Sequence, residues 1–192
     1  CTRPRAGPLP PRYLQAIIMI EIQQLNVDAV QSAIPELAAM LHASVSQGAS
    51  IGFVMPFSLE QAQAFWHRLL PAIERKERLL LVARDRDAGR VVGTVQLLLD
   101  MPDNGRHRAE VVKLMVHPDA RRQGIARSLM LQVQQLAVEH QRHLLVLDTL
   151  TGDTAEGLYR RLGFQLAGSI PQYARASNGG ALDATSYMYK LL

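Results

Sequence analysis

Two spacings of apolar residues alternate along the chain, and together they outline its elements. Ile17–Leu25 reads as a first strand. Asp28 is placed to cap a helix from about Ala29 to Gln47, with Pro35 inside it as a kink or an early break. The Gly-containing loop GASIGFVMPF follows, and Ser58 caps the next helix. There Phe65, Trp66, Leu69 and Leu70 recur near every fourth position, so packing accounts for Trp66 without a ligand. Leu79–Arg84 and Arg90–Asp100 are strands joined by the hairpin turn DRDAG, and MPDNGRHR turns into a strand over Ala109–His117.

Beyond Gly124, Ile125, Leu129, Val133, Leu136 and Ala137 share one helical face. His143–Asp148 is a buried-type strand that ends in a carboxylate. Asp153-x-x-Glu156, an acidic capping box, opens a helix with Leu158 and Leu162 inward, and Gly163 closes it. Phe164–Ala167, a bend at Pro171-Gln172-Tyr173, a turn at SNGG and Thr185–Lys190 complete the pattern. Hairpins come first and βα units later. That order predicts an α/β fold with a mixed, mostly antiparallel sheet and helices on both faces.

The chain has 192 residues and is 48% hydrophobic, enough for one domain with a real core. Residues 17–192 are assigned to that domain. Residues 1–16 lie in a Pro- and Arg-rich prefix, CTRPRAGPLPPRY onward, expected to be a disordered, dispensable extension, with Met19 a candidate start. Cys1 is the only cysteine, so no intrachain disulfide forms; lipidation of Cys1 is the lesser reading, and a cytoplasmic protein the expectation. No apolar run approaches the ~20 residues that span a bilayer, so no membrane partner is expected. The net charge of +4 is dispersed and aromatics are 5%, which gives nucleic acid neither a patch nor stacking platforms. Six histidines lack ligand spacing, so no metal is expected, and His117 and His143 read as structural or surface residues.

The segment Val111–Met130, VVKLMVHPDARRQGIARSLM, carries the most chemistry. An apolar strand meets Pro118, then Arg121-x-x-Gly124-x-Ala126 opens a helix. Small residues at that corner let a ligand lie on first-turn amides that lack intrahelical acceptors and carry the positive end of the helix dipole. A pyrophosphate is the natural guest.

These motifs resemble the acetyl-CoA site of the GNAT superfamily of N-acyltransferases, whose signature is a strand followed by Q/R-x-x-G-x-G/A at a helix start. LLVLDTLTGDTAEGLYRRLGF is similar to the later strand, Tyr helix and closing strand of that superfamily. The GASIGF loop, the AEVVKLMV strand and the LDT strand end resemble tabtoxin-resistance acetyltransferases, over about Ile20–Leu192. The resemblance implies a splay between two central parallel strands. The backbone of Leu114, Met115 and Val116 would pair with pantetheine there. The amides of Arg122, Gln123, Gly124, Ile125, Ala126 and Arg127 would hold the pyrophosphate, with Arg121 and Arg122 adding charge; simple exposure is the ordinary reading of these arginines.

The implied reaction is acetyl transfer from acetyl-CoA to a primary amine of a small molecule, amino-acid-like or a β-lactam toxin, for self-protection or resistance. With no cysteine in this region, direct attack is the economical route. Tyr159 is the candidate acid for the leaving thiolate, against an ordinary amphipathic Tyr. Asp148 is a candidate base, better if desolvated at its strand end, or an ammonium anchor; its ordinary alternative is a turn acceptor. Glu110 is implicated by the tabtoxin-resistance group, yet in sequence it enters the strand from the other end and equally suits a salt bridge to Arg106 or Arg108. Ser50, Gly52 and Phe53 in the GASIGF loop would line the acceptor pocket. Protein N-terminal or lysine acetylation is the alternative activity, and a non-catalytic acyl-CoA-binding module the lesser one. A homodimer is an expectation from the superfamily alone.

Overall fold

A computed structural model describes residues 20–192, so the prefix and the start of the first strand lie outside the described residues. The elements run β1 (Ile20–Leu25), α1 (Val27–Ser46), α2 (Leu59–Glu74), β2 (Arg78–Asp85), β3 (Arg90–Leu98), β4 (Arg108–Val116), α3 (Ile125–Glu139), β5 (Leu144–Leu150), α4 (Thr154–Arg161), β6 (Gln165–Arg175) and β7 (Leu182–Leu191). The strands form one seven-stranded sheet in the order β1-β2-β3-β4-β5-β7-β6. Every pairing is antiparallel except β4 with β5.

Alternation along the central strands sends side chains to two cores. Leu79, Leu81, Val95, Leu97, Ala109, Val111, Leu145 and Leu147 pack against α3 and α4, including Ile125, Leu129, Val133 and Leu136. Leu80, Val82, Val91 and Met115 pack against α1 and α2, including Leu37, Leu41 and Trp66. The sheet is therefore covered by helices on both faces, as the hairpin and βα order predicts.

Three local expectations change. Asn26, not Asp28, caps α1, its Oδ1 accepting from Ala29 N at 2.9 Å; Asp28 sits in the first turn, where its charge faces the helix dipole. Pro35 neither breaks nor ends α1, which runs on to Ser46. Its buried stripe, from Val30 through Leu37 to Leu41, holds the helix across the missing N–H. At α4 the expected reciprocal capping box does not close. Asp153 accepts from Thr154 N at 2.7 Å, and the Glu156 carboxylate reaches further back, to Gly152 N at 2.7 Å.

Ser58 does form its box with Gln61, at 3.2 Å and 2.7 Å. Ser58→Ala should lower stability by about 1 kcal/mol, read as a Tm drop of about 2–4 °C in thermal denaturation. An unchanged melting curve would show that α2 is held by packing alone.

Candidate active site

The central opening follows from a short parallel ladder. β4 and β5 pair only at Arg108–Glu110 against Leu144–Val146. β5 then continues along β7 to Leu150, and β4 continues along β3 to Val116, so the two strands part. The unpaired edge of β4 beyond Glu110 has backbone groups free for an extended ligand. Asp148 is accordingly not at the end of its strand. It lies opposite Tyr187, two residues before β5 stops.

A bulge sharpens this opening. Lys113 and Leu114 together stand opposite Val95, between the pairs Gln96–Val112 and Thr94–Met115. The extra residue flips the phase of the strand: Val111 faces α3, whereas Met115 faces α1 and α2. Lys113 takes a φ of +54°, and Thr94 Oγ1 donates to its carbonyl at 3.2 Å. Leu114 and Val116 pack partly against the α3 core, while Met115 is buried in the other core. Their backbone groups line this edge.

At the far side of the opening, α3 starts without any side-chain cap, on Gly124 at φ +80°. Its first intrahelical bond is Ser128 N to Gly124 O at 3.0 Å, so the amides before Ser128 stay free for an anion. A Cβ built on Gly124 meets nothing within 4 Å, so the corner is open space. Arg121, Arg122, Gln123 and Arg127 are exposed around it, and none makes an ion pair among the described residues. Ala126 is half-buried, and Ile125 is buried against Gly93, which leaves its N–H as its contribution. The free first-turn amides and the open space at Gly124 leave room for a pyrophosphate at this corner.

Glu110 and Asp148 come together. Their separation by strand end in the sequence is overturned by the register: Glu110 lies opposite Val146, and Asp148 is the next residue of β5 on that face. Burial, then the Asp148 charge, raises the Glu110 carboxyl above the usual glutamate value. Arg78, Lys113 and Arg108 pull the other way. Glu110 forms no ion pair with Arg106 or Arg108; Arg106 bonds Asp103 at 2.6 Å instead. Asp148 is exposed, so the expected desolvation is not available to it. Its carboxylate serves no turn among the described hydrogen bonds.

Tyr159 is carried on the face of α4 toward the core, with its ring 5.8 Å from Phe164 and 7% exposed. Burial, then Asp148 and Asp153, pushes its phenol well above the usual value, so it holds its proton throughout neutral pH. Glu156 fixes the start of this helix through Gly152 N, Arg160 at 2.6 Å and Ser186 Oγ at 3.4 Å.

On the other face, the 48–57 loop seats on the bulge. Ile51 O accepts from Lys113 Nζ at 2.8 Å, and the Phe53 ring lies 5.6 Å from that ammonium. Gly52 has φ +88°, and a Cβ there would stand 3.2 Å from Nζ, so glycine alone suits the position. Phe53 also packs on Phe57 and Phe65. Ser50 is exposed, and no described contact joins it to the carboxylates. Met55 N donates to Ser177 O at 2.7 Å, tying this loop to the β6–β7 turn. Sequence reasoning missed Lys113, Arg78 and the Tyr173–Tyr187 phenol pair at 2.6 Å. A lone cation inside the apolar run VVKLMV was the available signal for Lys113.

The sheet thus parts between its two parallel strands, with an uncapped helix start after one of them and a buried phenol after the other. The profile of the acetyltransferase (GNAT) family matches residues 44–164, more than half of the chain, and the chain belongs to that family. It is an N-acetyltransferase that uses acetyl-CoA as co-substrate. Among its relatives, an L-methionine sulfoximine/L-methionine sulfone acetyltransferase from Pseudomonas paraeruginosa is 29% identical, covering 82% of this chain and 89% of that one. A ribosomal-protein-alanine N-acetyltransferase structure from Brucella melitensis is 25% identical with a TM-score of 0.72, covering 90% and 99%. A Salmonella typhimurium acetyltransferase structure solved with acetyl-CoA is 18% identical with a TM-score of 0.71, covering 90% and 94%, and shares the fold. No helix of the described residues is long and apolar enough to cross a membrane. No group of three or more His, Cys, Asp or Glu residues suited to a metal occurs among them.

Proposed function

We propose that the enzyme acetylates the free amine of a small amino-acid-like molecule. The observation that carries this reading is the pairing of Glu110 and Asp148 beside a loop tied across to the β6–β7 turn. Two carboxylates favour an ammonium, and a tied cover favours a small acceptor over a polypeptide laid in an open groove. The Pseudomonas relative, named for two amino-acid derivatives, supports the same class. Acetylation removes the charge of such an amine, which suits detoxification of a toxic amino-acid analogue.

Acetyl-CoA supplies the activated acetyl group. The amides from Arg122 to Arg127 hold its pyrophosphate, Arg121 and Arg122 add charge, and the Leu114–Val116 edge orients its arm. Asp148 anchors the acceptor ammonium. Glu110, half-buried and raised, takes the proton that must leave before the amine attacks. Tyr159 gives its phenolic proton to the departing thiolate.

Acetyl-CoA consumption measured against free amino acids, methionine sulfone and sulfoximine, an N-terminal-alanine peptide and a lysine peptide tests the acceptor class. Turnover of the small amines is expected; a higher kcat/KM on either peptide would replace this reading with protein acetylation. With the best acceptor, Asp148→Asn should raise KM and Glu110→Gln should lower kcat. Asp148→Asn also removes a charge that raises Glu110, so the acid limb of kcat/KM against pH should move to lower pH. Wild-type parameters in both variants across pH would pass proton removal to water or another group.

A further inference from the structure

The acceptor side of the opening holds charges of both signs that do not satisfy one another. Glu110 and Asp148 make no ion pair among the described residues, and neither does Lys113. The Lys113 ammonium is half-buried, yet among the described residues only one of its three donors has a protein acceptor, Ile51 O at 2.8 Å. Phe53 covers another side, 5.6 Å away, and offers a ring face rather than an anion. Keeping a cation there costs free energy that its described contacts do not offset fully. Burial accordingly lowers its basicity, although Asp148 and Glu110 lie near enough to oppose that.

The backbone shows the same expense. Lys113 is a side-chain-bearing residue at φ +54° in a bulge of the central strand, held by Thr94 Oγ1. Strain at such a place is retained where the surroundings need it. Without the extra residue, regular alternation from Val111 would turn the lysine toward α3, away from Ile51 and Phe53. The bulge therefore puts an ammonium on the face shared by Glu110 and Asp148.

We infer that Lys113 is a specificity-determining residue that binds the carboxylate of a zwitterionic acceptor, while Glu110 and Asp148 take its ammonium. This rests on the small-amine reading above and narrows it to α-amino acids over simple amines. The free donors of Lys113 meet the carboxylate as charge-assisted hydrogen bonds. The ammonium, one carbon away in such a molecule, faces the two acids.

The test compares L-methionine sulfone with its carboxamide, which keeps the amine and removes the anion. Wild-type enzyme should favour the acid in kcat/KM by about 10- to 100-fold, the range of a hydrogen bond to a charged group. Lys113→Met keeps the stem and should erase that ratio, mainly through KM for the acid, with acetyl-CoA affinity by calorimetry unchanged as the check on folding. Lys113→Arg should keep part of it. If Lys113→Met does not fold, the wild-type ratio and Lys113→Arg still decide. Equal use of acid and amide by wild-type enzyme, or a ratio that survives Lys113→Met, overturns the role of Lys113 and leaves small-amine acetylation standing. An enzyme that acetylates the alanine peptide and neither sulfone probe overturns both.

Discussion

Gly124→Glu should reduce acetyl-CoA affinity by about 100-fold or more, because two unit charges ~4 Å apart repel by about 4 kcal/mol near a protein surface. The carboxylate would stand beside the free amides at the start of α3, where the pyrophosphate is proposed to sit. Two effects must be separated. At φ +80° any side chain costs about 1 kcal/mol of stability relative to glycine. Repulsion of the ligand by the carboxylate is the other. Gly124→Ala isolates the strain, since its methyl would meet no protein atom within 4 Å. Calorimetric titration of both variants, with melting curves for each, decides the matter. Wild-type affinity in a folded Gly124→Glu enzyme would move the pyrophosphate elsewhere.

Tyr159→Phe should lower kcat by roughly 10²-fold or more, within the range for loss of a positioned acid, while acetyl-CoA affinity stays near wild type. The substitution keeps the ring against Phe164 and removes an oxygen that has no hydrogen-bond partner among the described residues. Stability should therefore change little, and the kinetic loss reports chemistry. Burial holds the phenol protonated well above neutral pH, so it suits an acid and not a base. Steady-state kinetics at saturating cofactor, from pH 6 to 9, supply the measurement. A wild-type kcat in the variant would transfer proton delivery to solvent.

The uncapped helix start at Gly124 was legible because everything it needs is local. Gly124, the strand before it and the amphipathic helix after it lie within one stretch, and hydrogen-bond geometry at a helix start depends on neighbours only. Tyr159 was legible for a similar reason, since helical spacing puts it on the inward face of α4. The caps were less secure. Asn26 and Asp28 both accept hydrogen bonds, and a shift of two residues is below what composition resolves. Pro35 does not break α1 because the packing that carries the helix past it comes from other elements.

Periodicity and turn chemistry along the chain determined the element order, the two-faced sheet and the place of the uncapped helix start at Gly124. Those are short-range properties, written within a few residues. Register between strands decided which charged side chains share a face at the opening, and register is long-range. Glu110 and Asp148 meet only because β4 and β5 pair for three positions before parting. Lys113 joins them only because its strand carries one residue more than β3 opposite it, which turns a cation of an apolar run toward the loop at Ile51 and Phe53. One residue of slip sends a strand side chain to the opposite face, so no reading of a strand by itself places such a group.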